Sequence, residues 1–143
     1  MNDCTFTHCA MSGLCVTKNA QAVSTNCRFA WNVKAGVRCM GQNTAIMVTD
    51  CQFYRNNEDG VIVHRQAVVN VYGELTESYS NNTNGLSASE CGVINIHLPQ
   101  SHVISHDNFG ININMNVNNG NGETCGLIQN CNLCHFCIQR KYM

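Results

Sequence analysis

The sequence contains little charge and almost no proline. Only 12% of its 143 residues are charged, and eight Lys and Arg nearly balance nine Asp and Glu. Such a chain has no excess of basic residues that could bind nucleic acid phosphates and release their counterions. No nucleic acid partner is therefore expected. A single proline, Pro99, beside eleven glycines and many asparagines favours strands and tight turns over long helices.

Long apolar runs are absent as well. No stretch approaches the roughly 18 consecutive apolar residues of a membrane span, so no membrane association is expected. The opening MNDCTFTHC lacks the charged and apolar regions of a signal peptide. Apolar residues make up 44% of the chain, which suffices for the core of an ordinary domain. Residues 1–143 are therefore expected to form a single domain.

Cysteine, in contrast, is abundant. The eleven cysteines are an odd number, and a chain of this length does not need disulfides to fold. Free cysteine is among the most buried residue types, so reduced thiols in the interior are expected. The sequon Asn81-Asn82-Thr83 leaves a secreted protein as the alternative.

A four-residue phrase, Asn or Asp followed by Cys-x-Phe, repeats along the chain. It occupies residues 3–6, 26–29 and 50–53, and Glu74-Leu75 continues the series. The steps from Cys4 to Cys27, Cys51 and Leu75 are 23, 24 and 24 residues. A second marker, glycine before an aliphatic residue, recurs at steps of 23, 24, 25 and 25 in Gly13, Gly36, Gly60, Gly85 and Gly110. Two independent markers with one period predict a stacked architecture.

Short runs in which apolar and polar residues alternate separate these markers, as in residues 67–71, 93–96 and 111–117. Alternation of period 2 is typical of half-buried strands, and each repeat holds about three of them. The sequence therefore predicts an all-β, right-handed parallel β-helix with three short strands per coil, about 24 residues per coil and five to six coils. A sandwich would not return one residue to the same phase every 24 positions, and leucine-rich repeats and propellers have other consensus sequences or periods.

Within the phrase, the Cys and the Phe are two positions apart, so both should point inward while the residue between them points outward. The predicted core ladder comprises Cys4, Cys27, Cys51, Leu75 and Cys131, together with Phe6, Phe29, Phe53 and Leu133. The leading Asn or Asp suits a bend, where it tolerates left-handed φ, and the glycines are interpreted as turn residues. The cysteines are interpreted as small buried hydrophobes without a redox role.

The closing segment NCNLCHFC, residues 130–137, is the one candidate for a metal site. Cys131 repeats the coil phrase with Leu133 in place of Phe, after an insertion of about six residues. Enough ligands for a four-coordinate zinc site lie in and near this segment, namely Cys125, Cys131, Cys134, His135 and Cys137. Residues three apart on a strand face opposite sides, however, so the coil interpretation is preferred and no metal or cofactor is expected.

No enzymatic motif is present, and the protein is expected not to be an enzyme. The nine carboxylates are scattered, whereas a carbohydrate-cleaving β-helix needs them clustered on one outer face. Trp31 and Tyr54 fall in equivalent loop positions of neighbouring coils. They are candidate surface contacts, either for carbohydrate or protein or as a cover for the coil edge.

In the order and spacing of Cys, Phe and Gly, the segment DCTFTHCAMSGLCVTKNAQAVSTNCRFAWNVKAGV resembles the central region of the large early-1B protein of adenoviruses and its relative, the left-hand-end, hexon-interlacing capsid protein of atadenoviruses. The segments NTAIMVTDC, HRQAVVNVYG and NCNLCHF look like further coils, with weaker similarity at 74–90 and 110–125. The resemblance implies either of two roles. One is a regulator that binds host nuclear proteins such as p53, and the other is a homotrimeric cement protein between hexons on the capsid exterior.

The charge-poor, asparagine-rich strands favour the capsid role, with residence in the virion and in the host nucleus during assembly. A flat sheet face with few charges would serve self-association into a homotrimer. The chain starts directly in a coil phrase, which indicates a fragment of a longer protein without one or both end caps. A carbohydrate-binding or carbohydrate-cleaving β-helix is the further alternative.

Overall fold

A computed structural model describes residues 1–97, 104–115 and 127–130. The strands in these ranges are β1 (Thr5–Thr7), β2 (Leu14–Thr17), β3 (Gln21–Thr25), β4 (Arg28–Ala30), β5 (Val37–Met40), β6 (Ala45–Thr49), β7 (Gln52–Tyr54), β8 (Val61–His64), β9 (Val68–Tyr72), β10 (Glu77–Tyr79), β11 (Leu86–Ala88), β12 (Val93–Ile96), β13 (Ser105–His106), β14 (Ile113–Met115) and β15 (Leu127–Asn130). None of the described residues belongs to a helix that is long and apolar enough to cross a membrane.

Every third strand joins the same sheet. Sheet 1 has the order β1-β4-β7-β10-β13, sheet 2 runs β2-β5-β8-β11-β14 and sheet 3 runs β3-β6-β9-β12-β15, with all pairs parallel. Four successive coils lie within residues 1–97, and a fifth contributes one described strand to each sheet. The predicted parallel β-helix of about 24 residues per coil is confirmed.

The interior is built by the repeated phrase, as predicted. Cys27, Phe29, Cys51 and Phe53 are each at most 1% exposed, whereas the intervening residues face outward. The Phe6, Phe29 and Phe53 rings stack nearly parallel, with centroids 5.0 and 5.4 Å apart. Burying Phe29 and Phe53 contributes about 2 to 3 kcal/mol each, and the stacking of the rings adds to it. Cys4 and Phe6 lie in the first described coil and are only partly buried against this core.

The bends before the sheet 1 strands also follow the prediction. Asp3, Asn26 and Asp50 adopt φ of 53°, 49° and 51°. Asn and Asp tolerate this left-handed region because their short polar side chains bond locally. The Asn26 amide accordingly donates a hydrogen bond to the Asp3 carboxylate of the preceding coil.

The assignment of Leu75 to the core ladder is wrong. Leu75 is 66% exposed, and the position below Cys51 belongs to Thr76, which is fully buried and accepts a hydrogen bond from the Cys51 backbone N–H at 3.2 Å. Glu77 pairs with Gln52, so the coil step here is 25 residues, after steps of 23 and 24 between the preceding phrases. A slip of one residue on a strand reverses the face to which its side chain points.

Four of the five marker glycines form a column at the start of the sheet 2 strands, while Gly110 does not. The Leu14, Val37 and Val61 N–H groups donate to the carbonyls of Gly36, Gly60 and Gly85. The Leu86 N–H donates instead to Asn112, so Gly110, which lies in a bend as predicted for a turn residue, does not continue this column. Glycine is needed in this column because the backbones of neighbouring coils approach each other closely there. A Cβ on Gly60, for example, would lie 2.7 Å from the Gly85 carbonyl oxygen.

The thiols of Cys4, Cys9, Cys15, Cys27, Cys39 and Cys51 are free. Cys91 is disulfide-bonded, so the expectation of reduced thiols is wrong for this residue. Cys131 and Leu133, with the other proposed zinc ligands Cys125, Cys134, His135 and Cys137, lie outside the described residues. Within the described ranges, no group of three or more His, Cys, Asp or Glu is arranged to hold a metal ion.

Candidate functional site: an asparagine-floored groove and an uncharged face

Buried asparagines line the turn between sheets 1 and 2. The Nδ2 atoms of Asn32, Asn56 and Asn81 donate to the Oδ1 atoms of Asn56, Asn81 and Asn108 at 2.9, 3.0 and 2.9 Å. We call this column the asparagine ladder. Its signal in the sequence is an Asn three residues after Phe29 and again after Phe53, which the search for Cys and Gly phrases missed.

Each ladder asparagine also ties its own coil to its neighbours through the backbone. Asn56 Oδ1 accepts from the Asn32 backbone N–H at 3.2 Å, and Asn56 Nδ2 donates to the Phe29 carbonyl at 3.0 Å. Asn81 repeats the pattern with the Asn56 N–H at 3.1 Å and the Phe53 carbonyl at 3.0 Å. Buried amides that use both donors and their acceptor in this way stabilise one geometry, so the turn is rigid.

On one side of the ladder, the residue directly before each asparagine has left-handed φ. This left-handed column comprises Trp31, Arg55, Ser80 and Asp107, with φ between 51° and 56°. Asp107 is of a type that tolerates this conformation, whereas Trp31, Arg55 and Ser80 are not. The column therefore carries side chains that the backbone geometry alone does not select.

Trp31 is the largest side chain of this column and is 49% exposed. The Arg55 guanidinium carbon lies 4.9 Å from its ring centroid, a cation–π contact, and the His8 ring lies parallel to it at 6.5 Å. Tyr54 is not equivalent to Trp31, contrary to the sequence analysis, because it pairs with Ala30 on β4. Tyr54 instead stacks with Tyr79 at 5.1 Å on the outer face of sheet 1.

The left-handed column forms one wall of an open groove that runs over the ladder. The opposite wall follows the ladder in sequence and consists of Val33, Asn57, Asn82 and Phe109, of which Phe109 is 88% exposed. The groove has a volume of about 650 Å³. This volume falls within the range of small-ligand sites, and the lining mixes aromatic, amide, hydroxyl and charged groups.

A second surface feature is the outer face of sheet 3, which we call the uncharged face. Its outward residues are Gln21, Val23, Thr25, Ala45, Met47, Thr49, Val68, Asn70, Tyr72, Val93, Asn95, Leu127 and Gln129. None of these described positions is Asp, Glu, Lys or Arg. Sheets 1 and 2 differ, since Arg28, Glu77 and Arg38 stand on their outer faces.

Across the uncharged face, the side chains of neighbouring coils interact with one another. Asn95 Nδ2 donates to Asn70 Oδ1 at 2.9 Å, and Gln129 Nε2 donates to Asn95 Oδ1 at 2.8 Å. The Tyr72 ring stacks with the His97 ring at 4.3 Å. Val23, Met47 and Leu127 remain 53%, 40% and 43% exposed. The surface is therefore flat, ordered and partly apolar.

Several carboxylates of the described residues hold turns or form ion pairs. Glu58 bonds Lys34 at 2.9 Å and Arg38 at 2.8 Å, and Asp59 accepts from the Asn84 N–H at 2.7 Å. Asp50 accepts from the Leu75 N–H at 3.2 Å. Each of these carboxylates bonds a residue of a neighbouring coil and so links two coils.

Burial shifts the pKa of four described groups outside the groove, and it raises that of the Cys51 thiol and of the Tyr79 hydroxyl. Burial raises the pKa of the Cys39 thiol to about 11, with a smaller contribution from Cys15. Burial, and then the nearby Arg38 charge, lower the pKa of His64. His64 Nδ1 lies 2.7 Å from Ser89 Oγ, its neighbour in the next coil of sheet 2. A thiol with a raised pKa is a poor nucleophile, in agreement with a packing role for Cys39.

Comparison with known proteins returned one finding. A family model described as a right-handed beta helix region matches residues 1–122. No curated protein and no solved structure matches the chain.

Proposed function

The chain belongs to the right-handed β-helix family, and from that premise we propose that it is a non-enzymatic structural protein that associates with further copies of itself through the uncharged face. The observation that carries the proposal is the composition of that face, a five-stranded surface without a charged residue on its described strands.

A second copy is the occupant that this surface suits best. The cores of protein interfaces are depleted of charged residues, because burying a charge without a partner is costly. In a three-fold assembly, the side chains that lie next to the axis meet copies of themselves. Packing sheet 1 or sheet 2 against the axis would bring copies of Arg28 or Arg38 together, whereas the uncharged face places no charged residue of its described strands there.

The use of the carboxylates supports a non-enzymatic role. Hydrolysis of a glycosidic bond requires two carboxyl groups about 5 to 10 Å apart across a substrate. Asp50 and Asp59 instead bond backbone N–H groups in separate turns, and Glu58 is shared by Lys34 and Arg38. Their acceptor capacity is used in holding the coils together.

The resemblance to the adenoviral proteins gives the proposal its finer form. The protein would be a homotrimeric capsid-exterior component that binds between hexons, stabilises the virion, and resides in the host nucleus during assembly. A rigid solenoid with a rigid ladder and a charge-free face has the properties that such a cement needs. The early-1B-type regulator is the competing role.

Analytical ultracentrifugation of the full protein tests the self-association. Val68 faces outward from β9 at the centre of the uncharged face and is half-buried. Val68→Glu places a carboxylate where copies would meet, so we expect the trimer to dissociate to monomers. Ile62 is the matched control, since it is half-buried and faces outward from β8 in the same coil, but on sheet 2. Ile62→Glu should leave the trimer unchanged.

A wild-type protein that sediments as a monomer would refute the self-association. The virion role has a separate test, which is the location of the protein in purified particles or in soluble nuclear extract of infected cells. Recovery with host nuclear proteins alone would instead support the regulator.

A further inference from the structure

We propose that a row of amide side chains on the uncharged face fixes the orientation of associating copies, so that neighbouring solenoids run parallel and in register. This inference rests on the self-association proposed above and specifies which arrangement of copies the face accepts. It is carried by the order of the side chains along the middle of that face.

One outward position of each strand of sheet 3 forms a row along the middle of the face, which we call the central row. Backbone pairing aligns its five members, one from each coil, namely Val23, Met47, Asn70, Asn95 and Gln129. The first two are apolar and are 53% and 40% exposed, whereas the other three carry amides. The central row is therefore apolar at one end of the described solenoid and polar at the other.

The three amides bond one another but keep further hydrogen-bonding capacity. Asn95 Nδ2 donates to Asn70 Oδ1 at 2.9 Å, and Gln129 Nε2 donates to Asn95 Oδ1 at 2.8 Å. A side-chain amide has two N–H donors and an oxygen that accepts two bonds. Within the described contacts, each amide therefore keeps at least one donor and one acceptor position. Once the face is covered, these groups need partners on the neighbouring copy, because an unsatisfied buried amide is costly.

A parallel arrangement provides those partners. In a three-fold assembly with parallel solenoid axes, each level of the central row next to the axis meets copies of itself. Val23 and Met47 then pack against apolar side chains. At each level that carries an amide, the three copies can close a ring in which every amide donates to the next one.

An antiparallel arrangement loses hydrogen bonds. With full overlap of the five described strands of sheet 3, Val23 would face Gln129 and Met47 would face Asn95, so that only Asn70 would meet its own copy. An amide that is covered by an apolar side chain gives up its bonds to water without replacing them. One such amide suffices to favour the parallel arrangement about tenfold or more. A single buried Asn sets the register of coiled coils by the same effect.

Photo-cross-linking of the full protein measures the orientation. Gln21 is exposed on β3 at the edge of the uncharged face, so Gln21→benzoylphenylalanine places a photoreactive group there without occupying the central row. Isotope-labelled and unlabelled copies are refolded together and irradiated, and mass spectrometry identifies the cross-links that join a labelled chain to an unlabelled one. We expect these cross-links to reach β3 and β6 of the neighbouring copy, and about a tenth of them or fewer to reach β15.

Asn95→Leu combined with Gln129→Leu makes the central row symmetric about Asn70, with apolar side chains at both ends. This variant should associate in both orientations, so the share of cross-links to β15 should rise until it is comparable with the share to β3. Thr25→Val combined with Thr49→Val is the matched control, because both residues lie in the neighbouring outward row of the same face. The control should keep the wild-type pattern.

Three results would overturn this inference and leave the self-association standing. They are wild-type cross-links that reach mainly β15, a symmetric variant that stays parallel or dissociates, and a control that changes orientation as the symmetric variant does. A wild-type protein that sediments as a monomer would overturn the self-association and this inference together.

Discussion

Removal of the Asn56 side chain should destabilise the protein far more than removal of the neighbouring Asn57 side chain. Asn56 is 1% exposed, and its amide takes part in four hydrogen bonds of 2.9 to 3.2 Å, with Asn32 Nδ2, the Asn32 N–H, the Phe29 carbonyl and Asn81 Oδ1. Each such bond contributes about 1 kcal/mol net, so Asn56→Ala should lower the free energy of unfolding by about 4 kcal/mol. At about 3 °C per kcal/mol, the thermal midpoint should fall by about 12 °C.

Asn57→Ala is the control, because Asn57 is exposed and its side chain accepts one long bond of 3.4 Å from Asn82. Its cost should stay below about 0.5 kcal/mol, as for most surface substitutions. Urea unfolding followed by circular dichroism measures both variants. If the two costs differ by less than about 1 kcal/mol, the ladder does not hold the coils together and the reasoning is wrong.

Asn56→Asp probes the donors of the ladder alone. The introduced carboxylate retains the acceptor towards Asn32 but presents a second oxygen to the Phe29 carbonyl and to Asn81 Oδ1, which are both acceptors. Burial and these acceptors should raise the folded pKa of the introduced carboxyl group above the unfolded value of about 3.9. The stability of this variant relative to the wild type should therefore fall as the pH rises from the unfolded value through the folded pKa.

Three further predictions concern single positions. Leu75→Gln should change the free energy of unfolding by less than about 0.5 kcal/mol in a urea titration, because Leu75 is exposed and Thr76 occupies the core position. Iodoacetamide at mildly alkaline pH should modify the exposed Cys15 and spare Cys39, whose buried thiol has a pKa of about 11, as peptide mass spectrometry would show; rapid labelling of Cys39 in the native state would contradict its assignment to the core. Because the folded pKa of His64 is lowered, its stabilising contribution is present above the unfolded pKa of about 6.5 and decreases as the pH falls from there to the folded value. The pH dependence of unfolding should be flatter in His64→Gln, and an NMR titration midpoint at or above the unfolded value would refute this.

The repeated phrase identified the architecture because a parallel β-helix returns each position to the same phase once per coil. Cys27, Phe29, Cys51 and Phe53 are buried as the alternation predicted, and Asp50 bends the chain as an Asx residue should. These features are local, since they depend on which neighbours point the same way along one strand.

Errors arose where turn lengths change between coils. The turn from β8 to β9 is one residue shorter than the turn from β5 to β6, and the turn from β9 to β10 is two residues longer than the turn from β6 to β7. The two changes nearly cancel, so a constant step of 24 residues predicted Leu75 beneath Cys51, whereas backbone pairing brings Thr76 there. Gly110 is out of register with the other marker glycines for a related reason, since the step from Leu86 to Ile113 is 27 residues.

The sequence by itself determined the period, the inward residues and the bends, because hydrophobic alternation and Asx turns act over a few bonds of the chain. Only the tertiary structure decided which residues of successive coils stack, because hydrogen bonds between coils set that register. The asparagine ladder, the groove beside Trp31 and the uncharged face of sheet 3 are all products of this stacking. Each joins residues about 24 positions apart, and their chemistry appears only when the coils lie in contact.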